Sequence, residues 1–223
     1  MSVIFIDIDN TLLDFNKCSE FSINSAAKDF NINMPENYYP KFKKINDGLW
    51  HRIEQGELTI DGLKKIRFNL VFENLGIKAD GPAFEDRYRV YLTQSAIPVD
   101  GAKELLEYLG AKYDIYAASN APKNQQVDRL TTADMAKNIK GFFISEEIGF
   151  AKPSKEFFDY CFEKVGSPKP EETYMIGDSI NADITGAKAY GMKTILFNYE
   201  GKKTKASPAD YTVEKLVEIK NIL

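Results

Sequence analysis

The chain has 223 residues, enough for one large domain or for a domain with a substantial insertion. Its 43% hydrophobic and 28% charged residues match an ordinary soluble globular protein. A net charge of −4, with no concentration of Lys and Arg, argues against a nucleic-acid groove. An anionic small molecule would therefore need local help from a metal or a few placed lysines. No run approaches the length of a transmembrane helix, and Asp7 and Asp9 interrupt the first apolar stretch with no cleavage site after it, which reads against a signal peptide. Cys18 and Cys161 are far apart and form no metal-ligand spacing. The expectation is a reduced, cytoplasmic protein, monomer or homodimer, with neither a membrane nor a nucleic-acid polymer as partner.

In chain order, "SVIFID" (Ser2 to Asp7) reads as a buried strand. Helical signals then dominate residues 16–95, around "FSINSAAKDF", "YYPKFKKINDGLWHRIEQG", "TIDGLKKIRFNLVFENLG" and "FEDRYRVYLTQ", with no convincing strand. In "DGAKELLEYLGAKY", Ala102, Leu105, Leu106 and Leu109 recur at helical spacing, and Gly110 is placed to end the helix. The strands "YDIYAAS" (Tyr113 to Ser119) and "FFIS" (Phe142 to Ser145) follow, then the helix "KEFFDYCFEKVG", ended by Gly166. On it Phe157, Cys161 and Val165 share a face, so Cys161 reads as a small buried hydrophobe. The strand "TYMIG" (Thr173 to Gly177), the helix "NADITGAKAYG" ended by Gly191, and the strand "KTILF" (Lys193 to Phe197) complete the alternation. Such alternation predicts an α/β fold: a Rossmann-like, doubly wound parallel sheet formed by residues 1–15 and 96–223, with an inserted α-helical cap at 16–95. Ligands of open α/β sheets bind at the carboxyl ends of the strands. An insertion beginning just after the first strand would sit as a lid over them.

Those strand ends carry unusual chemistry. The first delivers Asp7, Asp9 and Thr11; the second, Ser119 and Asn120; "FFIS" leads through "EEIGFAKPS" to Lys152; and "TYMIG" delivers Asp178 and Ser179, with Asp183 five residues beyond Asp178. Carboxylates crowded at a buried strand end repel one another and resist desolvation. A divalent cation held by Asp7 and Asp178 would cancel that repulsion, and hard oxygen ligands favour Mg²⁺. Each piece has a plainer reading: turn chemistry for Asp7 and Asp9, a helix N-cap for Ser119 and Asn120, a surface lysine for Lys152, and an ordinary first-turn acid for Asp183.

Taken together, "DIDNT", "SN", the lysine before Pro153 and "GDSINAD" resemble the four motifs of the haloacid dehalogenase-like hydrolase superfamily, in the subgroup whose helical cap follows the first motif. The resemblance implies that Asp7 attacks a phosphomonoester to form an aspartyl-phosphate. It implies that Asp9 protonates the leaving oxygen and then activates water. Mg²⁺ would be bound by Asp7, the Asp9 backbone carbonyl and Asp178. Thr11, Ser119, Asn120 and Lys152 would hold the phosphate, and Ser179 and Asp183 would stand behind the ligands, Asp183 orienting Lys152 or metal-bound water. A dehalogenase, whose halide leaving group needs no acid, typically lacks the residue corresponding to Asp9.

The cap stretches "INDGLWHRIEQGELT" and "LKKIRFNLVFENLGI", with "SEEIG" before the lysine, resemble bacterial pyrimidine 5′-nucleotidases of the superfamily. That implies a nucleoside monophosphate as substrate, with Trp50, Arg67 and Phe68 offered for contacts to a base; packing is the plainer reading of each. A phosphoglycolate or sugar-phosphate phosphatase or mutase is the alternative. A phospho-accepting receiver domain is more distant, because it is normally a single uninterrupted domain of about half this length. A non-catalytic relative would lack a nucleophile or a metal acid, and neither is missing. His51, the one histidine, leaves little room for a histidine triad and reads as a half-buried cap residue.

Overall fold

The computed structural model, which describes residues 2–201 and 207–223, places β1 (Val3–Ile6) inside a six-stranded sheet. Its companions are β2 (Asp114–Ser119), β3 (Gly141–Ile144), β4 (Tyr174–Gly177), β5 (Lys193–Phe197) and β6 (Tyr211–Val213). The order is β3-β2-β1-β4-β5-β6, and every pairing is parallel. Alternation along β1 explains why both faces need cover. Ile4 and Ile6 join Leu105, Leu106 and Leu109 of α5 (Ala102–Gly110) in one core, while Val3 and Phe5 join Phe157, Phe158, Cys161 and Phe162 of α8 (Lys155–Lys164) in the other. Cys161 is therefore the buried hydrophobe expected. The strand order reverses at β1, so the crevice beyond the carboxyl ends of β1 and β4 is the switch point of a doubly wound sheet.

The chain divides into two compact units, 1–15 with 96–223, and 16–95. The second unit consists of α1 (Phe15–Asp29, whose first residue belongs to the first unit), α2 (Tyr38–Glu54), α3 (Ile60–Leu75) and α4 (Gly81–Gln94). Thr59 caps α3 by accepting from the Gly62 N–H, left-handed Gly76 ends it, and Asp80 caps α4. An aromatic cluster of Phe42, Phe68, Phe72, Phe84 and Tyr88 fills the interior. Two expectations for base contacts are corrected here. Phe68 is 1% exposed inside that cluster. Arg67, 4% exposed, is held by Glu85 through two bonds (2.9 and 2.5 Å) and by Asn46 (2.9 Å). Its guanidinium neutralises a buried carboxylate and is spent on the unit's own core. His51 is exposed on α2 rather than half-buried.

The remaining departures are local. "FFIS" ends as a strand at Ile144, and Ser145 opens α7 (Ser145–Ile148). "NADITGAKAYG" is a turn of π-helix (Ile180–Thr185) followed by α9 (Gly186–Ala189). α6 (Lys123–Thr132) and β6 carry no strong pattern: β6 is three residues long with Tyr211 and Thr212 exposed, and α6 turns Gln125, Gln126 and Arg129 inward where apolar residues would have signalled a helix. Among the described residues no helix is long and apolar enough to cross a membrane.

Candidate active site

Continuous apolar runs drive β1, β2 and β4 through the sheet and leave their polar residues at the carboxyl edge. Asp7 directly follows β1, its N–H bonded to the Ile176 carbonyl of β4 (2.8 Å). The chain then turns tightly: the Thr11, Leu12 and Leu13 N–H groups all point to the Ile8 carbonyl, and Asn10 takes the left-handed conformation that asparagine tolerates. Thr11 lies buried in this turn, and its Oγ1 has no hydrogen-bond partner among the described residues.

Lys152 is the hub. Its ammonium donates to Asp7 Oδ1 (2.7 Å), Asp183 Oδ1 (2.6 Å) and the Ala118 carbonyl (2.6 Å), which uses all three of its protons. Asn120 fixes the backbone beneath it: its Nδ2 donates to the Lys152 carbonyl and its Oδ1 accepts from the Lys152 N–H, both at 2.9 Å. The Asn120 side chain is thus occupied in shaping the lysine loop, where the expectation set Asn120 among the groups that hold phosphate. Asp183 accepts from Lys152 on one oxygen and from the Ser179 N–H (3.0 Å) on the other, while the Ser179 hydroxyl caps the π turn by accepting from Ala182. Gly177 makes this possible, since a Cβ there would lie 2.2 Å from Asp183 Oδ2.

Carboxylate oxygens of Asp7, Asp178 and Asp183 all lie within 4.8 Å of one another. Burial pushes the Asp7 carboxyl up to about 7, with Lys152 opposing and Asp183 adding to the rise. Burial likewise lifts Asp178 well above the usual carboxylate range, helped by Asp7 and Asp183. For Lys152 burial works against the charge, but Asp183 and Asp7 outweigh it and the net shift is upward. Three carboxylates face one ammonium, so the cluster is short of positive charge. Hard oxygen donors with raised pKa values fit a divalent cation such as Mg²⁺. Asp7 and Asp178 are better placed as ligands than Asp183, both of whose oxygens already accept hydrogen bonds.

Two residues absent from the sequence-based set complete the site. Arg129 Nη1 donates to Asp9 Oδ1 (2.7 Å), and Gln126 Nε2 donates to Asp9 Oδ2 (2.7 Å) and to Ser119 Oγ (2.9 Å). Polar residues three apart on a helix that follows a strand-end "SN" were the available signal. Trp50, by contrast, is half-buried on α2 against the Leu49, Ile53 and Leu63 cluster of the helical unit.

A parallel switch-point crevice lined by paired aspartates, a buried lysine and a Gly-Asp turn defines a hydrolase class, and the sequence profile of the haloacid dehalogenase-like hydrolase family matches residues 1–191. The chain belongs to that family of hydrolases. It is 34% identical over 222 residues to YfnB of Bacillus subtilis (strain 168), provisionally named a HAD-hydrolase, covering 99% of this chain and 94% of that protein. It is 31% identical over 227 residues to the pyrimidine 5′-nucleotidase PynA of Streptococcus pneumoniae (99% and 96% covered), and 28% identical over 233 residues to a glyceraldehyde 3-phosphate phosphatase of Pyrococcus furiosus (100% and 93%). A crystal structure of YfnB, described as bound to magnesium and revealing interdomain movement, superposes with a TM-score of 0.94 at 33% identity, covering 100% of this chain and 98% of that one.

Proposed function

We propose that this hydrolase is a Mg²⁺-dependent 5′-nucleotidase acting on pyrimidine or modified nucleoside monophosphates through an aspartyl-phosphate. Lys152 holds Asp7 Oδ1, which leaves Oδ2 as the attacking atom. As the Oδ2–phosphorus bond forms, the ester oxygen–phosphorus bond breaks, and the departing oxygen takes a proton from Asp9. A water then attacks phosphorus and gives a proton to Asp9, releasing inorganic phosphate and restoring Asp7. Asp7, Asp178 and the Asp9 backbone carbonyl would hold Mg²⁺, which would supply positive charge for the phosphoryl oxygens. Ser119 and Thr11 offer hydroxyl donors to those oxygens. Lys152, with its three protons engaged, acts mainly by holding and polarising Asp7. The buried thiols of Cys18 and Cys161 agree with a reducing, cytoplasmic setting.

The observation that carries the chemistry is the meeting of Asp7, Asp9, Lys152 and Asp178 at one sheet edge. The choice of nucleotide rests on the likeness to PynA over nearly the whole of both chains. A sugar-phosphate phosphatase is the second reading, favoured by the likeness to the glyceraldehyde 3-phosphate enzyme. Measured kcat/KM with Mg²⁺ across a phosphomonoester panel decides between them. Pyrimidine nucleoside monophosphates should outrank phosphoglycolate, glyceraldehyde 3-phosphate and hexose phosphates, and a flat profile or a triose-phosphate preference would overturn the nucleotidase reading.

A further inference from the structure

We infer that Gln126 and Arg129 of α6 are positioning residues that hold the Asp9 carboxyl for proton transfer and make the Ser119 hydroxyl a fixed donor. The inference rests on the acid/base role proposed for Asp9. Both Asp9 oxygens are held, Oδ1 by Arg129 Nη1 and Oδ2 by Gln126 Nε2, each at 2.7 Å. The Gln126 amide can face only one way: its Oε1 accepts from Arg129 Nη1 at 3.1 Å, a group that can only donate, which turns Nε2 to Asp9 Oδ2. Gln126 Nε2 also donates to Ser119 Oγ, which accepts a second bond from the Ala121 N–H at 3.1 Å. With both lone pairs of that oxygen filled, the Ser119 proton has only to donate, which suits a phosphoryl oxygen.

Gln126 and Arg129 have no exposed surface, whereas the Asp9 side chain is 24% exposed and stays within reach of substrate and water. Burying a guanidinium and an amide is a poor route to stability, because a packed apolar pair of similar volume serves as well or better. Here the two side chains converge on the one carboxyl that must give a proton in the first half of the reaction and take one in the second. A rigid carboxyl needs no reorganisation at either step.

The test uses the full chain with Mg²⁺ and p-nitrophenyl phosphate, whose leaving group departs without a proton. In Arg129→Met the rapid burst of nitrophenolate should persist at about one equivalent per site, while the steady-state rate, which needs Asp9 to activate water, falls by roughly 10²-fold or more. Acid-quenched samples of the variant should then hold phosphate on protein at steady state, and Arg129→Lys should recover part of the rate. Equal losses of burst and steady-state rate, or no loss in either, would overturn the inference. Should Arg129→Met fail to fold, Gln126→Met is read in the same way, by the burst against the steady-state rate. An aryl phosphate keeps this test independent of nucleotide choice, and absence of any phosphoenzyme in the wild type, under quench, would instead sink the parent mechanism.

Discussion

Asp7 is 8% exposed between Lys152 and two other carboxylates, and its pKa of about 7 stands well above its ordinary 3.8. A carboxyl whose folded pKa is raised binds its proton more tightly in the folded state. In metal-free protein the cost of ionising it is therefore absent below about pH 4, grows as pH rises through the interval, and is complete above about pH 7. Asp7→Asn removes that cost. In the presence of chelator the variant should melt at least ~2 °C above wild type at pH 8, with a smaller gap at pH 5. Mg²⁺ should raise the wild-type melting temperature more at pH 8 than at pH 5. The same variant should have no phosphatase activity above background, because an amide is neither nucleophile nor good ligand. A variant that melts below wild type at pH 8 in chelator would mean that the lysine contact outweighs the crowding of acids.

The π turn after β4 shows how an element sets chemistry through its spacing. Its extra residue brings Asp183 back over Gly177, where one oxygen meets the Ser179 N–H and the other the Lys152 ammonium. Gly177→Ala would put a methyl group where Asp183 Oδ2 now lies. The turn must shift, Lys152 loses one of its two carboxylates, and the expected loss of stability is about 1–3 kcal/mol, as for other overpacked sites. Because Asp7 then carries a larger share of the lysine's hydrogen bonding, kcat should fall more than KM rises. Thermal melts and steady-state kinetics on the one variant check both, and wild-type stability would show that the turn relaxes freely.

At the scale of the whole molecule, two connecting segments lead into and out of residues 16–95. They are tied together: the Asp14 N–H donates to the Ile97 carbonyl (2.8 Å), the Val99 N–H to the Leu12 carbonyl (3.0 Å), and Leu13 bridges Pro98 antiparallel. Such a short ribbon is a natural place to absorb hinge rotation, since few backbone bonds need change. We propose Trp50 as the candidate reader of the substrate's leaving group. Trp50→Ala should then lower kcat/KM for a nucleoside monophosphate at least ~10-fold more than for a small aryl phosphate, within the range of one lost aromatic contact. Equal losses on the two substrates would reduce Trp50 to packing against Leu49 and Ile53. Arg67 does not belong in this test, because Arg67→Ala would leave Glu85 buried without its counter-charge and damage the unit itself.

Much of the fold was legible because its signals are local. An unbroken apolar run such as Val3 to Ile6, rich in β-branched and aromatic residues, reads as a strand buried on both faces, and an acid or a serine at such an end is out of pattern, so Asp7, Ser119 and Asp178 stood out. The helical character of residues 16–95 was equally plain from turn-by-turn spacing. What sequence could not decide is how polar side chains are paired across the chain. Asn120 reaches 32 residues along the chain to the Lys152 backbone, Arg129 reaches 120 residues to Asp9, and Arg67 meets Glu85 inside the helical unit. A polar side chain reads the same in sequence whether it faces substrate, a buried counter-charge or a backbone group. Its meaning is set by which partner satisfies it once water has been expelled, and only the packed tertiary structure supplies that partner.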